Sequence, residues 1–379
     1  MKNNTWIRIL QICIGILFLV SGILKANDPI GLSEKMQEIL HSWNINFLDN
    51  FTLFSAFFII CVEVVLGIAF ILSIRPKISV SVAWIFISFF LVLTGIATFT
   101  GSVDTCGCFG DCLPLSTKQS FIKNIFLWLI LFTMYKNRKI FPVLILNKTY
   151  VLFLFSISLI ITLFTSWWAI EHLPFIDCSI YKKGKSITEI NKNLEIPNYN
   201  KQRIIVLNGQ DTLQWNNIQT HHAAFIKNKQ IVILDSLPNG IDKISSINIP
   251  FYLFDSDLND FTNIVLKDPG YNFILLIKNK DFKKKNIDKI PALIQTAIKN
   301  NIGFYIASSI SEEETRNLVK EYNLENAQIL YIDYRTNKQI IRNNPGLIIL
   351  KAGTIKGKWS YSQYPSEVEW KHHDAIKVK

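Results

Sequence analysis

The sequence carries no nucleotide or haem fingerprint: there is no GxGxxG after a strand, no P-loop and no CxxCH. Motif-based dinucleotide binding, Walker-type phosphoryl transfer and covalent haem attachment therefore have no foothold in it. It also lacks an Arg-rich stripe interleaved with aromatics, the footprint of a protein that tracks phosphates. The net charge of +11, from 40 Lys and Arg against 29 Asp and Glu, is scattered along the chain. No nucleic-acid partner is expected. Charge is scarce before Ile170, and most of the acidic residues follow it. Long apolar runs stand where charge is missing.

A bilayer core about 30 Å thick needs about 20 apolar residues as helix, because hydrocarbon cannot satisfy open backbone groups. Trp6 to Leu24, Phe51 to Ile74 and Ile78 to Phe99 qualify, Gln119 to Tyr135 is a shorter fourth, and Tyr150 to Ile170 is a full fifth. The first run outlasts a signal-peptide apolar region of about 7 to 15 residues and ends in Lys25, Asn27, Asp28 and Pro29 with no small-x-small site. It reads as an anchor rather than a cleaved signal. Arg75 and Lys77, then Lys136, Arg138, Lys139 and Lys148, mark two loops as cytoplasmic. Five spans then put the N-terminus inside and the chain after Trp168 outside, with Trp167 and Trp168 at the outer interfacial belt.

Six cysteines separate by depth. Cys13 and Cys61 fall within spans, where a thiol behaves as a small apolar residue. Cys106, Cys108 and Cys112 share the outer loop TGSVDTCGCFGDCLPLS, and Cys178 follows the fifth span. An oxidising exterior permits disulfides there. A Cys106 to Cys108 bond would close a very small, strained ring and be a strong oxidant, whereas Cys108 to Cys112 closes with less strain. Gly107 and Gly110 would leave the sulfurs approachable. Three readings stand open: redox exchange with electrons passing to a lipid-phase quinone, static bridges within the loop and from the loop to Cys178, and a metal site. The last is disfavoured, since CxCx3C without a nearby His departs from zinc spacings. Four cysteines allow three pairings, and spacing does not choose among them.

Glu63 lies about mid-span in CVEVVLGIAF, where a carboxylate is costly and turns toward the bundle interior or a polar partner. Lys25 and Asp28 at the outer end of the first span are its candidate partners. The bland alternative has Lys25 snorkelling and Asp28 capping the turn before Pro29. SGILKANDP, the Glu63 and Gly67 pattern, and Cys106-Gly-Cys-Phe-Gly-Asp111 followed by Pro114 and another span together resemble the MauE/DoxX family of redox-associated membrane proteins. The resemblance covers residues 5 to about 136 and implies a four-helix membrane bundle. It further implies association with disulfide handling in methylamine utilisation or with quinone-linked sulfur oxidation, without implying methylamine as a substrate. The whole layout is similar to Bacteroidetes DoxX-like proteins of unassigned role. Cys112 is an addition to the CGCFGD pattern and leaves open which pair would exchange.

After Glu171 the chain turns polar, and His172 to Gln202 reads as an irregular linker. Arg203 to Leu207 and Thr212 to Trp215 flank Asn208-Gly209, a hairpin signal, and Ile231 to Leu234 is another strand. Beyond Pro269 the order sharpens. Strands are expected over Asn272 to Ile277, Gly303 to Ala307, Ile329 to Ile332, Gly346 to Leu350 and Thr354 to Trp359. Helices are expected over Ile287 to Lys299 and from Ser311 to Tyr322, the latter with a Ser311/Glu314 capping box. This order, with Asn344-Pro345 before a hydrophobic strand, resembles the thioredoxin fold and its cis-proline loop over about Ile249 to Tyr364. The departure is chemical. Lys278-Asn-Lys-Asp-Phe-Lys stands where a CxxC would be, so the domain cannot run dithiol chemistry itself.

The expected fold class is an α-helical membrane bundle, a four-helix DoxX/MauE-like core plus a fifth span, followed by an α/β thioredoxin-like soluble domain. The expected divisions are 1–146 for the bundle, 147–170 for the fifth span, 171–248 for a linker and small β region, and 249–379 for the thioredoxin-like domain. The expected function is a redox-associated protein of the cytoplasmic membrane that relays or maintains thiol/disulfide state on its outer face, its partners being the lipid bilayer and a periplasmic thiol protein. Cys106, Cys108 and Cys112 are the candidate exchanging residues. Glu63, Lys25 and Asp28 are the candidates for quinone or proton handling, and no metal site is expected. The alternative is a non-enzymatic membrane scaffold with structural disulfides whose outer domain binds an envelope partner. Transport is weaker, since no internal repeat is visible.

Overall fold

A computed structural model describes residues 2–43, 45–100, 110–113, 115–137, 141, 147–194, 203–207, 211–214, 231–235, 250–280 and 282–365. The chain divides into two compact units, one holding residues up to Ile170 with Pro174–Ile176, the other Glu171–Leu173 and, among the described residues, the chain from Asp177 onward.

The first unit is helical: α1 (Lys2–Ala26), α2 (Pro29–Ser42), α3 (Thr52–Ile71), α4 (Pro76–Thr100), α5 (Thr117–Lys136) and α6 (Lys148–Glu171), with a 3-10 turn at Asn46–Phe51 before α3. Among the described residues, four helices are long and apolar enough to cross a membrane: Trp6–Ala26, Phe47–Ile71, Pro76–Thr100 and Lys148–Glu171. Exposed Ile16, Phe58, Ile85, Phe89, Leu152 and Ile160 on these helices make sense facing lipid. The expected fourth span is present as α5 but falls short of that apolarity. Lys118, Gln119, Lys123 and Asn124 crowd its first two turns. It packs on α4 through Asn124, which donates to Thr94 Oγ1 at 3.2 Å, and Trp128, which donates to Ser88 Oγ at 2.8 Å. The acidic outer loop expected after α1 contains the helix α2, begun by Pro29 in its first turn.

α1 and α3 meet backbone to backbone. A Cβ at Gly67 would stand 2.8 Å from Leu19 N and 2.9 Å from the Gly15 carbonyl, and one at Gly15 would meet the Gly67 carbonyl at 2.9 Å. Small residues at such a crossing replace the hydrophobic drive that lipid cannot supply, because the gain comes from van der Waals contact. Phe18 stacks on Phe70 at 6.2 Å, and Arg8 donates to the Phe70 and Ile71 carbonyls at the end of α3.

The second unit holds two sheets. An antiparallel one has the order β2-β1-β3, from β1 (Arg203–Leu207), β2 (Asp211–Gln214) and β3 (Ile231–Asp235). These match the expected strands, while Asn208-Gly209 lies outside the described residues. The expected linker from His172 to Gln202 contains helix α7 (Ile187–Leu194), whose Ile187 is fully buried. Its residues past Leu194 lie outside the described ones.

Short α8 (Thr262–Lys267) leads into the main sheet: β4 (Tyr271–Ile277), α9 (Lys289–Lys299), β5 (Gly303–Ser308), α10 (Glu312–Glu321), β6 (Gln328–Tyr331), α11 (Tyr334–Ile340), β7 (Gly346–Lys351) and β8 (Thr354–Ser360). The strand order is β6-β5-β4-β7-β8, with β4, β5 and β6 parallel and β7 and β8 antiparallel. The unit is thus a mixed α/β sheet domain. Central β4 reads YNFILLI because both of its faces are covered. Phe273, Leu275, Leu347 and Trp359 pack with Leu293 and Val319 on one face. Ile274, Leu276, Ile348 and Leu350 pack with Tyr181, Ile187 and Ile340 on the other. Ser311 caps α10, accepting from Glu314 N. Ala352 and Gly353, both at positive φ, close the β7–β8 hairpin, and the Asn344-Pro345 bond is cis as expected.

The glycine crossing gives a direct expectation for the helical unit. Gly67→Leu inserts a branched side chain into a space bounded by backbone. Overpacking of this kind costs about 1–3 kcal/mol or more, so the purified protein in detergent will melt at a lower temperature than the native chain, whereas a substitution at lipid-facing Ile85 will leave the melt unchanged.

Candidate functional site

The site grows from the C-terminal end of α1, where LKANDP turns the chain into α2. Lys25 points inward. Its ammonium donates to Glu63 Oε1 on α3 and to Ser21 Oγ at 3.2 Å, and it lies 5.5 Å from the centroid of the Phe90 ring on α4. The Lys25 and Glu63 side chains are 3% and 6% exposed. Gly22 makes the approach possible, since a Cβ there would press on Val64 at 2.8 Å and on the Glu63 Cβ at 3.3 Å. Glu63 Oε2 has no hydrogen-bond partner among the described residues. A buried carboxylate with one oxygen satisfied by an ammonium and one left open can take a proton or accept a hydrogen bond from a ligand.

Of the two candidate partners for Glu63, the structure selects Lys25. Asp28 caps α2, its Oδ1 accepting from Gly31 N at 2.8 Å. A carboxylate just ahead of a helix beginning with Pro serves the open amides of the first turn better than it serves a second carboxylate.

The residue before Asp28 gathers another stretch of chain. Asn27 Nδ2 donates to the Ile176 carbonyl at 2.8 Å, and Asn27 Oδ1 accepts from Ile176 N at 3.0 Å. A 3-10 turn at Gly110–Cys112 also reaches this end of α1. Gly110 has φ +63, and a Cβ there would come within 3.5 Å of the Leu24 carbonyl. Cys112 and Cys178 are both disulfide-bonded. Cys106 and Cys108 lie outside the described residues. Cys61 is a half-buried free thiol on α3, and Cys13 is a free thiol exposed on α1 rather than packed in the core.

In the α/β unit, the segment that follows β4 from Lys278 is tied down. Asn344 Oδ1 accepts from Lys278 N at 2.9 Å, and its Nδ2 donates to the Asn279 carbonyl at 3.0 Å. The Asn344 carbonyl accepts from Lys283 N at 2.8 Å, and the buried Lys278 ammonium donates to the Arg342 carbonyl. No sequence signal pointed to Asp333, which caps α11 by accepting from Arg335 N at 2.9 Å and Thr336 N at 3.0 Å. It lines a small cleft with Ser308, Ser309 and Tyr331 at the carboxyl ends of β5 and β6. Burial pushes its carboxyl up to about 6, against the opposing hydrogen bonds from Thr336 and Arg335.

Two outcomes follow. Lys25→Met or Glu63→Leu alone strands a buried charge and will destabilise the detergent-solubilised protein by about 3–5 kcal/mol. The double variant will be less destabilised than the sum of the two, as thermal melts of all four chains will show. For Asp333 the folded-state value lies above the ordinary 3.8, so the native state binds the proton more tightly. Its contribution to stability is greatest in acid and is lost as pH rises through about 6. Asp333→Asn keeps the cap and removes the charge. It will stabilise the α/β unit at pH 7.5 by up to about 3 kcal/mol, at about 1.4 kcal/mol per pH unit, and this gain in denaturant midpoint will vanish near pH 4.

No curated protein and no solved structure matches the chain. Residues 3–136, which run from α1 to the end of α5, match the family described as Methylamine utilisation protein MauE. The match and the apolar helices it covers support a MauE-like region at the head of a multi-pass integral membrane protein.

Proposed function

We propose that this protein relays or maintains thiol/disulfide state at the outer face of the cytoplasmic membrane, through Cys106 and Cys108 with Cys112 beside them, and that a lipid-phase quinone accepts the electrons. The observation that carries the reading is the meeting, at one end of α1, of the turn bearing disulfide-bonded Cys112 with the buried Lys25–Glu63 pair. The match to a family named for methylamine utilisation supports a redox setting. In balanced form, two thiols of an envelope partner give two electrons and two protons, forming a disulfide and reducing quinone to quinol. The open Glu63 Oε2 and the Lys25 ammonium offer an acceptor and a donor for a quinone oxygen or a proton in transit.

The orientation is part of the proposal. Arg75, Lys77, Lys136, Arg138, Lys139 and Lys148 favour the cytoplasmic side, with α5 serving as the remaining crossing. The α/β unit is read as thioredoxin-like, on its sheet order, its cis Asn344-Pro345 bond and the position of the Lys278 segment. Without cysteines there, and with Asn344 bonded to that segment, it presents or recognises the partner rather than exchanging with it. A second reading, a scaffold with structural disulfides, is favoured by the bonded state of Cys112 and Cys178.

Thiol trapping in intact cells separates the two. The relay expects Cys106 and Cys108 to alternate between labelled and protected states and to accumulate as thiols when respiratory quinone is depleted. It also expects Cys108→Ser to accumulate a mixed disulfide with the partner, and Glu63→Gln, which also lowers the melting temperature by stranding the Lys25 charge, to slow reoxidation of the loop about tenfold when assayed well below that melt. A loop that stays permanently oxidised with or without quinone would sink the relay and leave the scaffold.

A further inference from the structure

Cys178 sits in the middle of a segment gripped by one buried cation. Lys358 projects from β8, opposite Ile348 of β7, with its side chain only 6% exposed. Its ammonium donates to Asp177 Oδ2 at 2.7 Å, to Ser179 Oγ at 3.3 Å and to the Tyr181 carbonyl at 3.3 Å. Asp177 Oδ1 in turn accepts from Ser179 N at 3.0 Å, closing a tight turn with Cys178 at its centre. Tyr181, at the end of the segment, is fully buried in the apolar core against the sheet. The residues on both sides of Cys178 are thus fixed by a single ammonium whose removal from water is offset by three acceptors.

From this we infer that Lys358 is the positioning residue of the Cys178 disulfide, and that it makes this bond resistant to reduction. The inference rests on the proposed relay only in saying which cysteines are spared for exchange. When a dithiol reductant opens a disulfide, it delivers two electrons and two protons, leaves two thiols, and closes its own sulfurs into a disulfide. Reclosure of the protein bond depends on how well its sulfurs are held in register. A held cysteine recloses at high effective concentration, which favours the oxidised form. With Lys358 in place, Cys178 stays oxidised under conditions that open an unconstrained pair. Exchange is left to cysteines on the Cys106 loop.

The test is a redox titration of the full-length protein in detergent against defined ratios of reduced to oxidised dithiothreitol, with alkylation and peptide mass analysis reading the Cys178 peptide. Lys358→Met will shift half-reduction to a ratio at least tenfold less reducing, about 30 mV for a two-electron couple. Lys358→Arg, which keeps the charge and the donors, will remain within threefold of the native protein. Should Lys358→Met fail to fold, Asp177→Asn serves instead. It preserves the turn through Oδ1 and turns an amide donor toward the ammonium, and it will shift the titration in the same direction. A Cys178 peptide that titrates natively in the folded Met variant, or in Asp177→Asn, overturns the inference, as does a Lys358→Arg shift equal to that of Met. The Cys106 peptide read in the same titration keeps the two proposals apart. Loss of cycling at Cys106 removes the relay and leaves the role of Lys358 standing.

Discussion

The helical unit depends on α1 and α3 lying against each other without side chains between them. Gly15, Gly22 and Gly67 bring the two backbones into contact, and that closeness gives the Lys25 ammonium a short path to Glu63. A bulkier residue at Gly22 would hold the two groups apart and leave both charges stranded in a low-dielectric interior. The apolar contacts of Phe18 with Phe70 and the salt bridge are therefore one arrangement rather than two. The open oxygen of Glu63 is buried at this same crossing, without a partner among the described residues.

Much of this was legible in the sequence, for reasons that differ from residue to residue. A carboxylate in the middle of an apolar run must find a partner, and Lys25 and Asp28 at the end of the first span were both candidates, so the sequence narrowed the choice to two residues without making it. Asp28 before Pro29 could be read either way. The geometry of a helix start favours the cap. The strands β4, β5, β7 and β8 were visible because buried strands of a mixed sheet are short apolar runs bounded by Gly, Pro and Asn. Helix α7 was not, because Lys and Asn dominate its exposed face and only Ile187 and Asn191 are buried. The shortfall of α5 came from counting a run between Gln119 and Tyr135 without weighing its polar first turns. Lys358 and Asp333 carried no local signal. The contact from Lys358 to Asp177 spans 181 residues, and a single lysine in an alternating strand looks like any solvated one.

The cysteines fall into classes that spacing could not separate. Cys13 and Cys61 are free thiols on membrane helices, and Cys112 and Cys178 are bonded. What distinguishes the bonded ones physically is the framework beneath them. Cys112 ends a turn resting on the Leu24 carbonyl, and Cys178 centres a turn fixed by Lys358. Rigid neighbours favour a closed disulfide. The α/β unit is held in the same way by hydrogen bonds of its own chain. Its Lys278 segment is fastened to Asn344, so the surface beside Pro345 is shaped by hydrogen bonds of the protein itself.

Helix α6 stands apart from this economy of close contact. Its buried residues, Thr162, Ser166 and Ala169, are all small and form one narrow stripe, while Leu152, Phe153, Ile160, Ile161 and Phe164 are exposed. Lipid, more than protein, is the solvent that holds it. Its 24 residues make a rod of about 36 Å at about 1.5 Å per residue, longer than a hydrocarbon core of about 30 Å. Such a rod accommodates the excess by leaning. With few buried residues among those described to resist the lean, α6 is free to follow the thickness of the bilayer around it.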